Sequence, residues 1–273
     1  MSFDLKKTVQ SALKEDMPSG DITTDNLQIS NLSGRARLVA KEDLVLSGSE
    51  IFSAVFHELD FNIKINWQFQ DSDFLLSGQT ICTLEGPLAS LLKGERVALN
   101  FMGRMSGIAT LTKCFTDIVK DTRTKILDTR KTTPGLRYLE KLAVRHGGGL
   151  NHRFSLSDAV LIKENHIRAV GGIKEAISQI HSQTRGEIEV EVQNLEEVKT
   201  ALACKAHRIL LDNMSIAEMK EALQIIPSSI QTEASGNMNI EKVTAIRDLG
   251  LDFISIGQIT HSAPTADLSL LFL

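Results

Sequence analysis

Between residues 128 and 168 the chain sets eight Lys or Arg against four Asp or Glu, a local balance of +4 in a protein whose formal net charge is -4. Arg130-Lys131 and His152-Arg153 flank a helical stretch and the glycine run at 147–149. Guanidinium forks grip carboxylates and phosphates through paired hydrogen bonds, and glycine lets main chain come close to a ligand. Together these features point to a small, multiply charged anion. The glycine triplet alone reads equally well as a loop. His146, His152 and His166 lack metal-ligand spacing, so they read as hydrogen-bond donors or packing residues.

Short apolar runs further along also end in polar residues. These are Asp128, Arg130 and Lys131; Lys163 and Glu164; Glu191 and Gln193; Asp212 and Asn213; Glu233, Ser235 and Gly236; Gly257 and, slightly later, His261. Any one of them could be the solvated residue where a buried strand emerges. Six runs ending this way point to a shared site. In IEVEV, Glu189 and Glu191 alternate with apolar residues and share a face that a parallel strand would bury. A carboxylate there needs a metal ion or a cation as partner.

The elements that must position these residues are strands followed by helices. KILDTRK from 125, AVLIKEN from 159, EIEVEVQ from 187, RILLDN from 208, IQTEASG from 230 and FISIGQ from 253 are six strand candidates, and the later ones recur every 22 residues or so. That rhythm predicts a parallel β/α barrel, whose chemistry gathers at the C-terminal strand ends. No GxGxxG turn follows the first strand to support a dinucleotide-binding open sheet. Before residue 110 the order is mixed. A helix is expected over 4–15, strands over 36–46, 61–69 and 74–84, and a long helix over 91–119 that Gly103 and Gly107 should loosen or interrupt. The expected division is 1–110 for an N-terminal domain and 111–273 for the barrel, with the last residues free to return to the first domain.

A 273-residue chain with 42% hydrophobic residues can bury a full core. Its balanced charge supplies no global field for nucleic acid or an acidic membrane. The start reads as an amphipathic helix rather than a signal peptide, and no run of 18 apolar residues occurs, so a cytoplasmic protein is expected. Cys82, Cys114 and Cys204 form no CxxC pair, which fits a reducing compartment and three small packing residues.

DTRKTTPGLR at 128–137, HGGGLNHR at 146–153 and LIKENHI at 161–167 resemble quinolinate phosphoribosyltransferase. EDMPSGDIT at 15–23, GERVALNFMGRMSGIAT at 94–110, IEVEV at 188–192, LLDN at 210–213, EASGNM at 233–238 and THSAP at 260–264 extend the resemblance, in order, over nearly the whole chain. The resemblance implies an N-terminal mixed α/β sandwich, a C-terminal incomplete β/α barrel of seven strands, and a homodimer whose sites lie between subunits. It also implies transfer of phosphoribosyl from phosphoribosyl pyrophosphate to quinolinate with decarboxylation, assisted by magnesium.

Carried over by motif, Arg130, Lys131, His152, Arg153 and Lys163 would surround the quinolinate carboxylates and the phosphates, with Arg96 entering from the partner subunit. Glu191 and Asp212 would face the ribose and hold the magnesium. Ser235, Gly236, Gly257 and His261 would hold the 5-phosphate, and Lys131, Lys163, Glu191 and Asp212 would form the catalytic group. His146 stands where the family often has Cys, Glu164 where Asp is common, and Gln258 where a small residue is usual. Other readings stay open. A molybdenum-transport-associated homologue would be expected to lose the NHR and LIKxNH motifs, which are intact here. A nonenzymatic anion binder could dispense with Glu191 and Asp212, and a nicotinate phosphoribosyltransferase would have one ring carboxylate to satisfy.

Overall fold

The computed structural model describes residues 3–184 and 186–273; Met1, Ser2 and Arg185 lie outside the described residues. Two compact units divide them. The first takes the chain up to Lys113 with Tyr138–Gly148 and Ala263–Leu273, and the second takes Cys114–Arg137 and Gly149–Ser262.

In the first unit the amphipathic start forms helix Leu5–Asp16, which buries Val9 and Leu13 and is capped where the Asp4 carboxylate accepts from Lys7 N at 2.9 Å. The expected strand over 36–46 is β1 (Ser33–Ala40) and a short β2 (Leu44–Val45), separated by the polar Lys41, Glu42 and Asp43. The expected strand over 61–69 is β3 (Lys64–Trp67). Gly78, at φ 89, turns the chain between β4 (Phe74–Leu75) and β5 (Thr80–Pro87), which splits the strand expected over 74–84.

Helix Leu88–Val119 takes the place of the helix expected over 91–119 and runs on without the interruption that Gly103 and Gly107 offered as one outcome. The two glycines are there for close approach. A Cβ on Gly107 would sit 1.8 Å from the Pro264 carbonyl oxygen and one on Gly103 would sit 2.9 Å from Thr265 Cγ2, while Ala266 N donates to Gly103 O at 2.9 Å.

Six parallel strands build the second unit: β6 (Lys125–Leu127), β7 (Val160–Ile162), β8 (Ile188–Val192), β9 (Arg208–Asp212), β10 (Gln231–Ser235) and β11 (Phe253–Ser255). All six coincide with strands read from the sequence. They lie in the order β6-β11-β10-β9-β8-β7. On the free side of β6, Leu150 forms a parallel bridge to Leu127, with Leu150 N donating to Ile126 O at 2.8 Å. This single bridge occupies a seventh position. Residues 147–150 contain only one apolar side chain, so no periodicity marks it in the sequence. Among the described residues no strand pair links Leu150 to β7, and the barrel-like sheet is open there. The last strand, β12 (Leu268–Phe272), pairs antiparallel with β1 and gives the first unit's sheet the order β12-β1-β5-β3.

Along the barrel strands Val190, Ile209, Leu211, Ala234 and Ile254 are buried, while the alternate residues Glu191, Leu210, Asp212, Glu233, Ser235 and Ser255 line one cavity. Helices start directly beyond the strand ends because Asn194, Ser215 and Asn239 cap them, accepting from Glu197, Glu218 and Lys242 N at 3.0, 3.2 and 2.8 Å. Among the described residues no helix is long and apolar enough to cross a membrane.

Candidate active site

One buried carboxylate joins the two cationic loops. Asp128, fully buried at the end of β6, accepts from Asn151 Nδ2 at 2.6 Å and from His152 N at 2.8 Å. The segment bearing Arg130 and Lys131 is thereby tied to the segment bearing His152 and Arg153. Thr260 Oγ1 donates to Lys131 O at 2.8 Å, and Arg137 bridges Thr132 Oγ1 and Phe154 O at 2.9 and 3.1 Å. Asp128 was legible as a strand-end residue, whereas Thr260 and Arg137 carry no sequence signal beyond their places in motifs.

The loops surround a cavity of about 780 Å³ at the C-terminal ends of the strands. Arg130, Lys131, His152, Arg153, Lys163, Glu191, Asp212, Ser235, Gly236, Gly257 and His261 all line it. Arg96 does not; it is exposed on helix Leu88–Val119. The Nε of Arg130 is buried without a hydrogen-bond partner. Burial and the neighbouring Arg130 charge hold the Arg153 pKa below its ordinary value. Two neighbouring cations lining one cavity favour an anion there. Lys163 Nζ lies 3.2 Å from Glu191 Oε2, and Asn213 Nδ2 donates to Asp212 Oδ2 at 2.8 Å.

The glycine run at 147–149 does not cradle a ligand. It closes helix Arg137–His146, with Gly148 at φ 85 and its N–H bonded to Arg145 O at 2.9 Å. A Cβ on Gly147 would meet Ala109 O at 2.3 Å, so that glycine serves packing. Nearby His146 bonds Ser47 Oγ through Nδ1 at 2.8 Å, and burial lowers its pKa. The expectation of three packing cysteines also needs correcting, because Cys82 is buried but Cys114 is exposed.

The glycine that shapes the cavity is Gly236, at φ 99, where a Cβ would meet Asn213 Oδ1 at 2.3 Å. Asn213 and Asn237 line the cavity with φ of 54 and 47, and Lys242 Nζ donates to Gly236 O at 2.8 Å. Sequence reasoning named Asn213 among the strand-end residues but passed over Asn237 and Lys242 as single residues. The one signal was the asparagines directly after strands, since Asn tolerates the left-handed region better than most residues.

Glu189 and the cavity-lining Glu233 are buried beside His152, whose Nε2 lies 3.3 Å from Glu189 Oε2 and 3.6 Å from Glu233 Oε1. Arg208 Nη1 reaches Glu233 Oε2 at 3.3 Å while its guanidinium stacks over Phe253, 4.3 Å from the ring centroid. Burial, then the Glu189 charge, push the Glu233 carboxyl up to about 7. Sequence reasoning required a metal ion or a cation beside a buried carboxylate on β8; the group beside Glu189 is the His152 ring. Glu191 stands at the cavity, with Lys163.

The family described as "Quinolinate phosphoribosyl transferase, N-terminal domain" matches residues 21–106, and its C-terminal counterpart matches residues 108–271. The chain is 42% identical over 271 residues to "Probable nicotinate-nucleotide pyrophosphorylase [carboxylating]" of Bacillus subtilis, covering 98% of this chain and 93% of that relative. It is 38% identical to "Quinolinate phosphoribosyltransferase [decarboxylating] 1b" of Nicotiana tabacum, covering 98% and 82%. The solved structure of NadC from Streptococcus pyogenes superposes with a TM-score of 0.94 at 40% identity, covering 100% of this chain and 98% of that one. With both family domains matched in order and relatives aligned over nearly its full length, the chain belongs to the quinolinate phosphoribosyl transferase family.

Proposed function

We propose that this chain transfers the phosphoribosyl group of phosphoribosyl pyrophosphate to quinolinate and decarboxylates the adduct, giving nicotinate mononucleotide, pyrophosphate and carbon dioxide for NAD biosynthesis. The observation that carries the reading is the cavity wall, where Arg130, Lys131, Arg153 and Lys163 face Glu191 and Asp212 at the strand ends. Four cations suit a dicarboxylate and a polyphosphate, and two carboxylates suit the ribose hydroxyls.

Displacement at the anomeric carbon passes through an oxocarbenium-like state, so the site must hold the pyridine nitrogen in line and accept charge on the leaving pyrophosphate. The nitrogen–carbon bond forms as the carbon–oxygen bond to pyrophosphate breaks. Loss of the 2-carboxylate as carbon dioxide leaves its bonding electron pair on C2, where the adjacent pyridinium charge stabilises it, and a proton from solvent then adds at C2. Lys131 and Arg153 hold the carboxylates, Lys163 lies between the two substrates, and no protein nucleophile is needed. Ser235, Gly236, Gly257 and His261 supply loop donors for the 5-phosphate.

Glu191 and Asp212 fit magnesium, being oxygen donors on the adjacent strands β8 and β9 with neither fully buried. Bound there with substrate oxygens, magnesium would neutralise charge on the pyrophosphate. The assembly is a cytoplasmic homodimer in this reading, with Arg96 of the partner subunit completing each site.

The test is incubation with quinolinate, phosphoribosyl pyrophosphate and magnesium. Nicotinate mononucleotide and carbon dioxide are the expected products. With nicotinate in place of quinolinate one cation loses its carboxylate, which costs on the order of 2 to 5 kcal/mol, so turnover should collapse. Equal turnover of the two acids would reject the dicarboxylate site.

A further inference from the structure

We propose that His152 is a positioning residue that acts through Arg153, its ring locked between the Arg153 main chain and the buried Glu189–Glu233 pair. The inference rests on reading the cavity as the quinolinate site. It starts from which ring nitrogen carries the proton. Arg153 N donates to His152 Nδ1 at 2.7 Å, so Nδ1 is an acceptor and the hydrogen sits on Nε2. Nε2–H points to Glu189, whose two oxygens lie at 3.3 and 3.4 Å, and Glu233 Oε1 stands 3.6 Å away. Both ring nitrogens are thus engaged within the protein, and neither has an N–H left for a substrate anion.

A metal reading fails on the same contact. His152, Glu189 and Glu233 bring one donor atom each within 4.8 Å of one another, and Glu233 Oε1 is buried without a hydrogen-bond partner. A metal, however, would need the lone pair of Nε2, which holds the hydrogen. Imidazolium is the competing form: burial opposes charging the ring, but the Glu189 hydrogen bond and the two carboxylate charges outweigh it and hold the His152 pKa above its ordinary value. A second proton would nevertheless set Nδ1–H against the Arg153 N–H, so this close contact decides for the neutral form.

The device therefore has a direction. Glu189 from β8 and Glu233 from β10 aim the Nε2–H, Arg208 from β9 compensates one carboxylate, and Nδ1 fixes the main chain from which the Arg153 guanidinium leaves. The Asp128 carboxylate holds His152 N from the other side at 2.8 Å.

A double-mutant cycle separates this role from direct substrate contact. His152→Gln and Arg153→Ala should each raise the KM for quinolinate by roughly tenfold or more while moving the KM for phosphoribosyl pyrophosphate far less. The double variant should bind quinolinate no worse than Arg153→Ala alone, because without the guanidinium there is nothing left to position. Independent effects that multiply would overturn the proposal and return His152 to the substrate. Glu189→Ala should raise the quinolinate KM in the same way, and Glu189→Gln, which keeps an acceptor for Nε2–H, should restore it. A quinolinate KM that ignores both changes would count against the device.

Nitrogen-15 NMR of the wild-type imidazoles needs no variant to fold. An unprotonated Nδ1 on His152 at neutral pH is expected, and an imidazolium or an Nδ1–H ring would refute the assignment. Wild-type turnover of quinolinate, measured in parallel, reports on the proposed reaction separately.

Discussion

Arg153 enters the cavity from a main chain held by His152 Nδ1, and its Nη1 donates to Ala159 O at 3.0 Å. Arg153 and Arg130 line the same cavity. An ammonium at this position keeps the charge but loses the planar fork, so Arg153→Lys should lower kcat/KM for quinolinate by about 10- to 100-fold. Steady-state kinetics close to wild type would reduce Arg153 to a screening charge. Glu233 gives a prediction of a different kind. Its carboxyl rises from 4.5 to about 7 in the folded chain, through burial first and then the Glu189 charge. The unfolded chain releases this proton earlier. The associated stability is therefore fully present below the unfolded value and lost as pH rises through the folded one. Glu233→Gln cannot titrate, so its Tm relative to wild type should climb by a few degrees between about pH 5 and pH 8. Parallel melting curves across that range would show that Glu233 does not carry the proton.

At the level of elements, what was legible in the sequence follows from burial. The six barrel strands announced themselves because each is a buried apolar run ending in a polar residue at the cavity, and the later ones recur at the pitch of one strand plus one helix. Leu150 was invisible because one bridge imposes no pattern. The glycines were misread in both directions. Those at 147–149 look like a ligand loop and instead end a helix, while Gly103 and Gly107 look like helix breakers and instead admit the chain at 264–266. Glycine in a sequence signals close approach without saying to what. Gly107→Ala tests this. In an exposed helix the exchange would gain about 1 kcal/mol, but here the added methyl falls 1.8 Å from Pro264 O. Overpacking of that kind costs about 1 to 3 kcal/mol, and moving main chain lies at the upper end, so a net loss of about 2 kcal/mol is expected in urea unfolding. A stabilised variant would mean that the contact yields freely.

At the scale of the whole molecule, the cavity charges were legible because the local +4 is confined to one segment of a chain that is net negative. What a single chain completes is harder to read, since periodicity reports burial within a fold and says nothing of a second copy. Arg96 is the residue on which this turns. It is exposed on helix Leu88–Val119 and does not line the cavity of its own chain, although its motif suggests a substrate cation. In a two-fold dimer with shared sites, each site combines Arg96 of one subunit with Lys163 of the other. Arg96→Ala and Lys163→Ala proteins, each inactive alone, can be unfolded together and refolded in equal amounts. Random pairing makes about half of the dimers mixed, and each mixed dimer has one site with both changes and one with neither, so about a quarter of wild-type activity should return. If mixed dimers are shown to form and activity stays at the parental level, Arg96 serves no neighbouring site, and its exposure is that of an ordinary surface arginine.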